Sequence, residues 1–417
     1  MCDVPTADVL YRYSAASSLS VGAGGVALGL STTDPGTFMD GFAERADVVA
    51  AALLLVGRVA ATRFSDPMTA ARLAELADPI ITVGEGAVRF ESLSACCGVA
   101  ARLDLLPDGL DVTVRQPGTT NVDLGPAMRR LLDGVLPRDP LHLGVGESGL
   151  RVATLDGQVH ERRVALPDRW VRSLAELQVL ASRMVPRVDL DARQLRAFLR
   201  SLPPSTPPRS TFWAQPAAGG LRLGSQPVPG AVPLGGPERL RVVEPLLRHT
   251  RAVRVYAAGG DGPRASWWEL ELPHARLGVA LSPGTSRGFS GEGAVLDGIG
   301  AAGTRDADAA RGRLGYDLAE GRHFARLLPV GRDLLEQHPR HVRARALVDA
   351  GAVRREGDHH LVRGSAADHV VRLGPPGDRC TCPWYGEHRG TRGPCAHVVA
   401  VRLVLDGSPD PDGRDAR

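Results

Sequence analysis

Three of the six cysteines in this chain, Cys380, Cys382 and Cys395, fall close together near its end, and His397 completes the group. The spacing is Cys-x-Cys, twelve residues, then Cys-x-His. Three thiolates and one imidazole are the number and type of donors that a structural zinc takes in a tetrahedron. That set closes the coordination sphere, whereas a hydrolytic zinc keeps a position for water. The pattern therefore points to one structural Zn2+. The deaminase signature, His-x-Glu with Pro-Cys-x-x-Cys, is absent. The bland alternative is a disulfide with a spare thiol. The opening MCDVPTADVLYRYS carries acids and no basic-then-apolar signal pattern, so the expected compartment is the cytoplasm, where clustered thiols stay reduced.

Other residues offer less. All 50 basic residues are arginine, which excludes a Walker A phosphate loop and a Schiff-base lysine for this chain. Cys96 and Cys97 lie in an apolar stretch and read as packing. GVGESG at 144–149 fits Gly-x-Gly-x-x-Gly, but the following LRVATL alternates as a strand where a dinucleotide site needs a helix. Asn121 and Asp123 precede a helix and read as caps. RGFSGEG from Arg287 reads as a functional loop or a turn. His338 and His341 read as surface, and His359, His360 and His369 receive no role. No Ser-His-Asp order, His-Glu-x-x-His or paired carboxylates stand out. The chain is expected not to be an enzyme.

The elements that must position the metal ligands belong to a chain of ordinary soluble composition, 43% hydrophobic and 23% charged. A net charge of +3 does not by itself imply a polyanionic partner. VVAAALLLVGRVAA from Val48 is interrupted by Arg58 and reads as a buried helix, so no membrane partner is expected. Periodicity predicts a hairpin about residues 22–25, helices over 42–61 and 69–77, and strands on either side of 84–86. Further strands, a helix from Asp123, a strand meander from Leu141 and helical material over 175–202 follow. No internal repeat at a fixed period is visible. The fold class is α+β, with a mixed N-terminal region over 1–202. Nine prolines between 203 and 237 predict a linker or meandering connection. A second α+β region covers 238–342, a small C-terminal ββα zinc-binding module covers 343–407, and a disordered polar tail covers 408–417.

CTCPWY, GPCAHVVAVRL and the strand-like HHLVRGSAADHVVRL upstream resemble the SWIM-type zinc finger, Cys-x-Cys then Cys-x-His. Ala396 stands where that family often has lysine, and the resemblance spans about residues 343–407. The longer arrangement resembles uncharacterised bacterial SWIM zinc finger family proteins of GC-rich genomes. The family occurs in helicase-type remodelling ATPases, Mutator-type transposases and several bacterial proteins. The resemblance implies that Cys380, Cys382, Cys395 and His397 hold one Zn2+. It also implies a module that binds nucleic acid, with DNA favoured, or a protein. Between 343 and 402 ten arginines face six acids. Trp384, Tyr385, Arg389 and Arg392, in the loop between the ligand pairs, are the expected contacts, suited to phosphate binding and base stacking. The alternatives are a protein–protein adaptor or regulatory subunit, and an enzyme whose cryptic N-terminal site is recruited to its target by the finger.

Overall fold

Along VRFESL, VAARLDL, SWWELEL and ARLGVAL apolar residues alternate with charged or small ones, which demands a sheet with two unlike faces. A computed structural model supplies it. The structure describes residues 36–62 and 79–407, apart from 165, 167, 208–209, 260–263, 286–287, 299–304, 327, 329–335, 337 and 376. Before residue 36 it gives the backbone of short strands, including the pair Ser18–Gly22 and Gly25–Gly29. The helix expected over 69–77 and the tail over 408–417 lie outside the described residues.

The chain is mixed α+β. Eight antiparallel strands run in the order Gly118–Asn121, Ile80–Val83, Val88–Leu93, Val99–Leu105, Ala275–Leu281, Ser266–Leu272, Ala252–Ala258 and Met184–Asp191. A five-stranded sheet, order Gly157–Arg162, Gly149–Thr154, His142–Gly146, Thr37–Ala43 and Leu110–Arg115, lies beside it. One face of the large sheet is apolar. Phe90, Leu103, Val279, Leu270 and Val255 pack there against helix α1 (Ala46–Ala61) and share its core with α2 (Pro126–Asp133). The opposite face carries helix α3 (Asp168–Ala181), whose Trp170, Leu174 and Leu177 are buried with Trp267 and Ala280.

That opposite face also holds a ladder of charge. Register pairs Arg89 with Asp104 and Glu91 with Arg102. It then pairs Asp104 with Arg276, Arg276 with Glu271, and Arg254 with Glu269 on one side and Asp189 on the other. Opposite charges thus meet across successive strands, the arrangement that stabilises cross-strand neighbours. Gly278 interrupts one row because the Trp267 ring occupies the space a Cβ would need. The Arg102 guanidinium lies 4.7 Å from the centroid of that ring. A hairpin of Leu314–Asp317 and Arg322–Ala325 roofs part of the ladder. Asp317 meets both Arg89 and Arg276 at 2.9 Å, and Arg326 meets Glu91 at 2.7 Å. Burial pushes the Asp317 carboxyl up, but Arg102, Arg276 and Arg89 together hold it below its usual range.

Several expectations need correction. The stretch 175–202 is not continuously helical: α3 gives way to the strand Met184–Asp191 before α4 (Ala192–Ser201). Pro186 forbids a helix there and accompanies a bulge, and Asp191 with Gln194 forms a capping box that restarts one. The helix expected from residue 42 begins at Ala46, because TFMDGFA pairs on both sides as a strand. The proline-rich stretch 203–237 carries a three-stranded sheet of Gly220–Gly224, Phe212–Ala217 and Val232–Leu234. Pro233 sits on its edge strand, and Pro216 lies beyond the residues paired to that strand. The large sheet draws strands from both sides of residues 202 and 237, so the regions 1–202 and 238–342 share one sheet. Asn121 ties its side chain to the Val164 carbonyl. Gly125 caps α2, and Glu161 accepts the Gly125 amide at 3.0 Å.

Arg326 and Glu91 are both almost wholly buried. Replacing Arg326 by Met removes the direct ion pair of the buried Glu91, leaving it only Arg102 across the strand, and should cost about 3–5 kcal/mol in urea unfolding. Pairing that change with Glu91→Leu should recover most of the loss.

Candidate metal centre

Each of the four ligands is placed by the start or end of an element. Cys380 closes the short strand Arg379–Cys380, and Cys382 caps a one-turn helix that Pro383 begins. Cys395 and His397 open the C-terminal helix Ala396–Gly407. Their donor atoms all lie within 4.8 Å of one another. The Cys380 Sγ is 3.8 Å from the His397 Nδ1, and donors around a tetrahedral zinc with bonds of about 2.0–2.3 Å lie ~3.7 Å apart.

Each sulfur also accepts a backbone N–H, as a thiolate requires. Tyr385 donates to Cys382 at 3.4 Å, Cys382 donates to Cys380, and Val398 donates to Cys395. The Cys395 thiol falls to about 4, chiefly because Cys380 donates to it, with His397 adding to the effect. Cys380 is pushed up by the same contact and by burial. Three negative charges cannot share this volume without a cation among them. The donor set fits one metal ion.

The module around the site is larger than the expected ββα unit. Four antiparallel strands, Val353–Glu356, His359–Arg363, Asp368–Arg372 and Arg379–Cys380, form its sheet. Three further helices join α1 to α4 in its description: α5 (Arg305–Ala310) lies in the body, α6 (Pro339–Asp349) leads into the sheet, and α7 (Pro383–His388) sits between the ligand pairs. The last helix, α8 (Ala396–Gly407), turns Val398 and Val401 to the ligands and Val399 and Ala400 to the core under α3.

Arginines fasten the module to the body. The Arg340 guanidinium donates to the Arg392 carbonyl at 2.6 Å and the Pro394 carbonyl at 2.8 Å, and lies 4.8 Å over the Trp384 ring. Arg402 donates to the Leu296 carbonyl at 3.4 Å and meets Asp297 at 3.7 Å, while also pairing with Asp378 of its own module at 2.6 Å. Gly293, at φ +76, has no room for a Cβ against Arg340, and Gly393 has none against the Gly293 carbonyl. Glu176 of α3 accepts the Ala294 amide and, at 3.3 Å, that of Val295, fixing the segment that receives the module. His338 and His341, expected at the surface, are buried here. Burial lowers His338 to about 3, and its neutral ring caps α6 by accepting the Arg340 amide at 3.1 Å.

The four loop residues divide. Tyr385 is half-buried and Arg389 exposed, its backbone in the left-handed region at φ +45. Trp384 packs edge-on against His388 at 4.6 Å, beneath Arg340. Arg392 donates to the Gly291 carbonyl at 2.8 Å and so faces the body. Beside Arg389 lies a cleft of about 360 Å³ lined by Arg264, Arg379, Arg402 and Tyr385. Arg402 is taken up by Asp378. The Arg264 Nε is buried without a hydrogen-bond partner among the described residues. Sequence reasoning missed Arg264, which no motif marks, and Arg340, whose only signal is its place one residue past Pro339. It did single out GFSGEG, which becomes the docking segment. Cys97 packs in the core and its carbonyl accepts the Phe289 amide at 2.8 Å. GVGESG forms the turn of a hairpin. His369 lies 4.4 Å from the His397 ring, centroid to centroid.

No family model matches the chain, and no curated protein is significantly similar to it. Among solved structures it is similar to the proliferating cellular nuclear antigen of Entamoeba histolytica, with TM-score 0.37 and 10% identity over 59% of this chain and 98% of that one. A. fulgidus PCNA, in a structure with the C-terminal region of FEN-1 bound, gives TM-score 0.37 and 11% identity over the same shares. Among the described residues no helix is long and apolar enough to cross a membrane.

Purified full-length protein should contain about one metal ion per chain by elemental analysis, and Cys382→Ala should lose it. A metal-free protein with the module intact by hydrogen exchange would sink this assignment. Burial raises the Glu176 carboxyl from 4.5 to about 8, so folding favours its protonated form. Its stabilising contribution is complete below about 4.5 and gone once pH passes about 8. Glu176→Gln should therefore flatten the fall in melting temperature between about pH 5 and about pH 9.

Proposed function

We propose that the chain is a SWIM-type zinc-finger protein that binds nucleic acid, DNA in the first place, through its docked C-terminal finger. One structural Zn2+ held by Cys380, Cys382, Cys395 and His397 would fix the finger's fold and take no part in chemistry. On this reading the chain is a binding protein and not an enzyme, and a reducing cytoplasm would keep its thiols available to the metal.

One observation carries the reading: the cleft where Arg264, Arg379 and Arg389 converge without a carboxylate partner among the described residues. Its one lining acid, Asp378, is already bound by Arg402 at 2.6 and 3.0 Å. Three uncompensated guanidiniums in a concave, partly desolvated site suit successive phosphates, and Tyr385 on the wall offers a face for a base. Tyr385 and Arg389 are then the direct contacts, while Trp384 and Arg392 hold the loop in place. A second reading, a protein partner, rests on a separate cavity of about 410 Å³ beside the metal ligands, lined by Ala366, Ala367, Pro383 and Trp384.

Fluorescence anisotropy with labelled single- and double-stranded oligonucleotides separates the two. Wild-type protein should bind with steep salt dependence. The double change Arg379→Ala and Arg389→Ala should weaken binding about tenfold or more and reduce the log–log salt slope by about 2. Absence of salt-dependent binding to any DNA or RNA at about 50 mM salt would leave the protein-partner reading.

A further inference from the structure

The charge ladder of the large sheet is roofed at one end only. Where the Leu314–Asp317 hairpin stops, a cavity of about 520 Å³ opens over the strands Ala252–Ala258, Ser266–Leu272 and Ala275–Leu281. Its rim is firm. The Pro273–His274 turn holds His274 at φ +59, and Asp108 bonds the His274 Nδ1 at 2.9 Å.

Most charges lining this cavity are already matched. Arg254 meets Asp189 at 2.7 Å, and Arg276 meets Asp317 at 2.9 Å and Glu320 at 3.5 Å. Glu269 stands across the ladder from Arg254, with Arg102 and Arg276 near enough to favour its charged form, but makes no direct ion pair with the described residues. It is only 6% exposed, it lines the cavity, and its carboxylate accepts no hydrogen bond from the described residues. Its oxygens are also not among the buried unpartnered atoms, so the part of Glu269 that remains accessible is the carboxylate itself. Glu271, two residues along the same face, also lines the cavity and has no ion pair among the described residues. Set against the unpaired Arg251, the two carboxyl groups leave a surplus of one negative charge at a site where Leu106, Ala252 and Ala319 also form the wall. A nearly buried carboxylate with no donor is unfavourable unless something supplies one.

We propose that this cavity is a binding site for a small organic cation, a guanidinium or primary ammonium on an aliphatic stem, with Glu269 as its principal partner. The head group donates to Glu269, replacing the donors that the fold withholds. The stem lies on Leu106 and Ala319, and residues two apart on a strand face, about 7 Å, put Glu271 within reach of a second cationic end. Arg251 at the mouth has no ion pair among the described residues, which admits ligands with a carboxylate at the far end. The site is on the body and does not depend on the finger's reading as a nucleic-acid binder.

Isothermal titration of the full-length, metal-loaded protein with agmatine and with putrescine tests the assignment. Saturable binding with one site per chain is expected for at least one of them. Glu269→Gln should weaken it about tenfold or more, with metal content and oligonucleotide binding unchanged. Ala319→Trp, at the exposed mouth, should block the same titration while leaving every charge in place. If Glu269→Gln does not fold, Ala319→Trp decides alone. Heats no larger than dilution with both cations, or affinity unmoved by these changes, would overturn the site.

Discussion

Three cysteine sulfurs and an imidazole must share one small volume, and the C-terminal module depends on how that crowding is resolved. The module has seven buried core residues of its own, and three of them are the ligand cysteines. That separate core is small for some sixty residues, and the module also leans on the body through Val399 and Ala400. Every element that reaches the site does so to bring a donor: a strand end, a capped single turn, and the first turn of a long helix. A cation there would convert mutual repulsion into attraction, and folding of the module would then be coupled to metal binding.

The body solves a similar problem of charge by different means. Arginines and carboxylates on one face of the large sheet alternate across strands, so that most desolvated charges find an opposite neighbour. Guanidiniums suit this role because they stack on Trp267 and Phe324 as well as pairing with acids. Arg340 does the same between body and module, bonding two carbonyls with its edge while its face covers Trp384. A chain without lysine thus places arginine wherever a planar cation can fill a buried gap.

What could be read from the sequence followed the physics of each signal. The ligand set was legible because donor chemistry fixes both residue types and spacing, and the structure brings the four together. Strands such as Val99–Leu105 and Ser266–Leu272 were legible from their alternation. Met184–Asp191 was hidden because a bulge at Pro186 breaks its period between two real helices. The sheet within 203–237 was hidden because a composition count cannot distinguish prolines that a short sheet tolerates, such as Pro233 on its edge strand, from those of a linker. His338 and His341 looked solvated because the elements packed around α6, α8 among them, come from elsewhere in the chain. The cleft beside Arg389 and the Glu269 cavity left no local trace, since each is assembled from segments far apart in sequence.

The shared helix Ala396–Gly407 bears on how the parts of this protein can be recombined. Successive residues, Val398 and Val399, belong to different interiors, and Gly393 meets Gly293 backbone to backbone. A module joined in this way is not portable. Excised, it would carry an apolar stripe with nothing to cover it. Grafted to another host, it would need a glycine, a glutamate such as Glu176 and an arginine seat already in place. A cut near residue 343 would fall inside α6, whose Ala344 is packed in the core of the body.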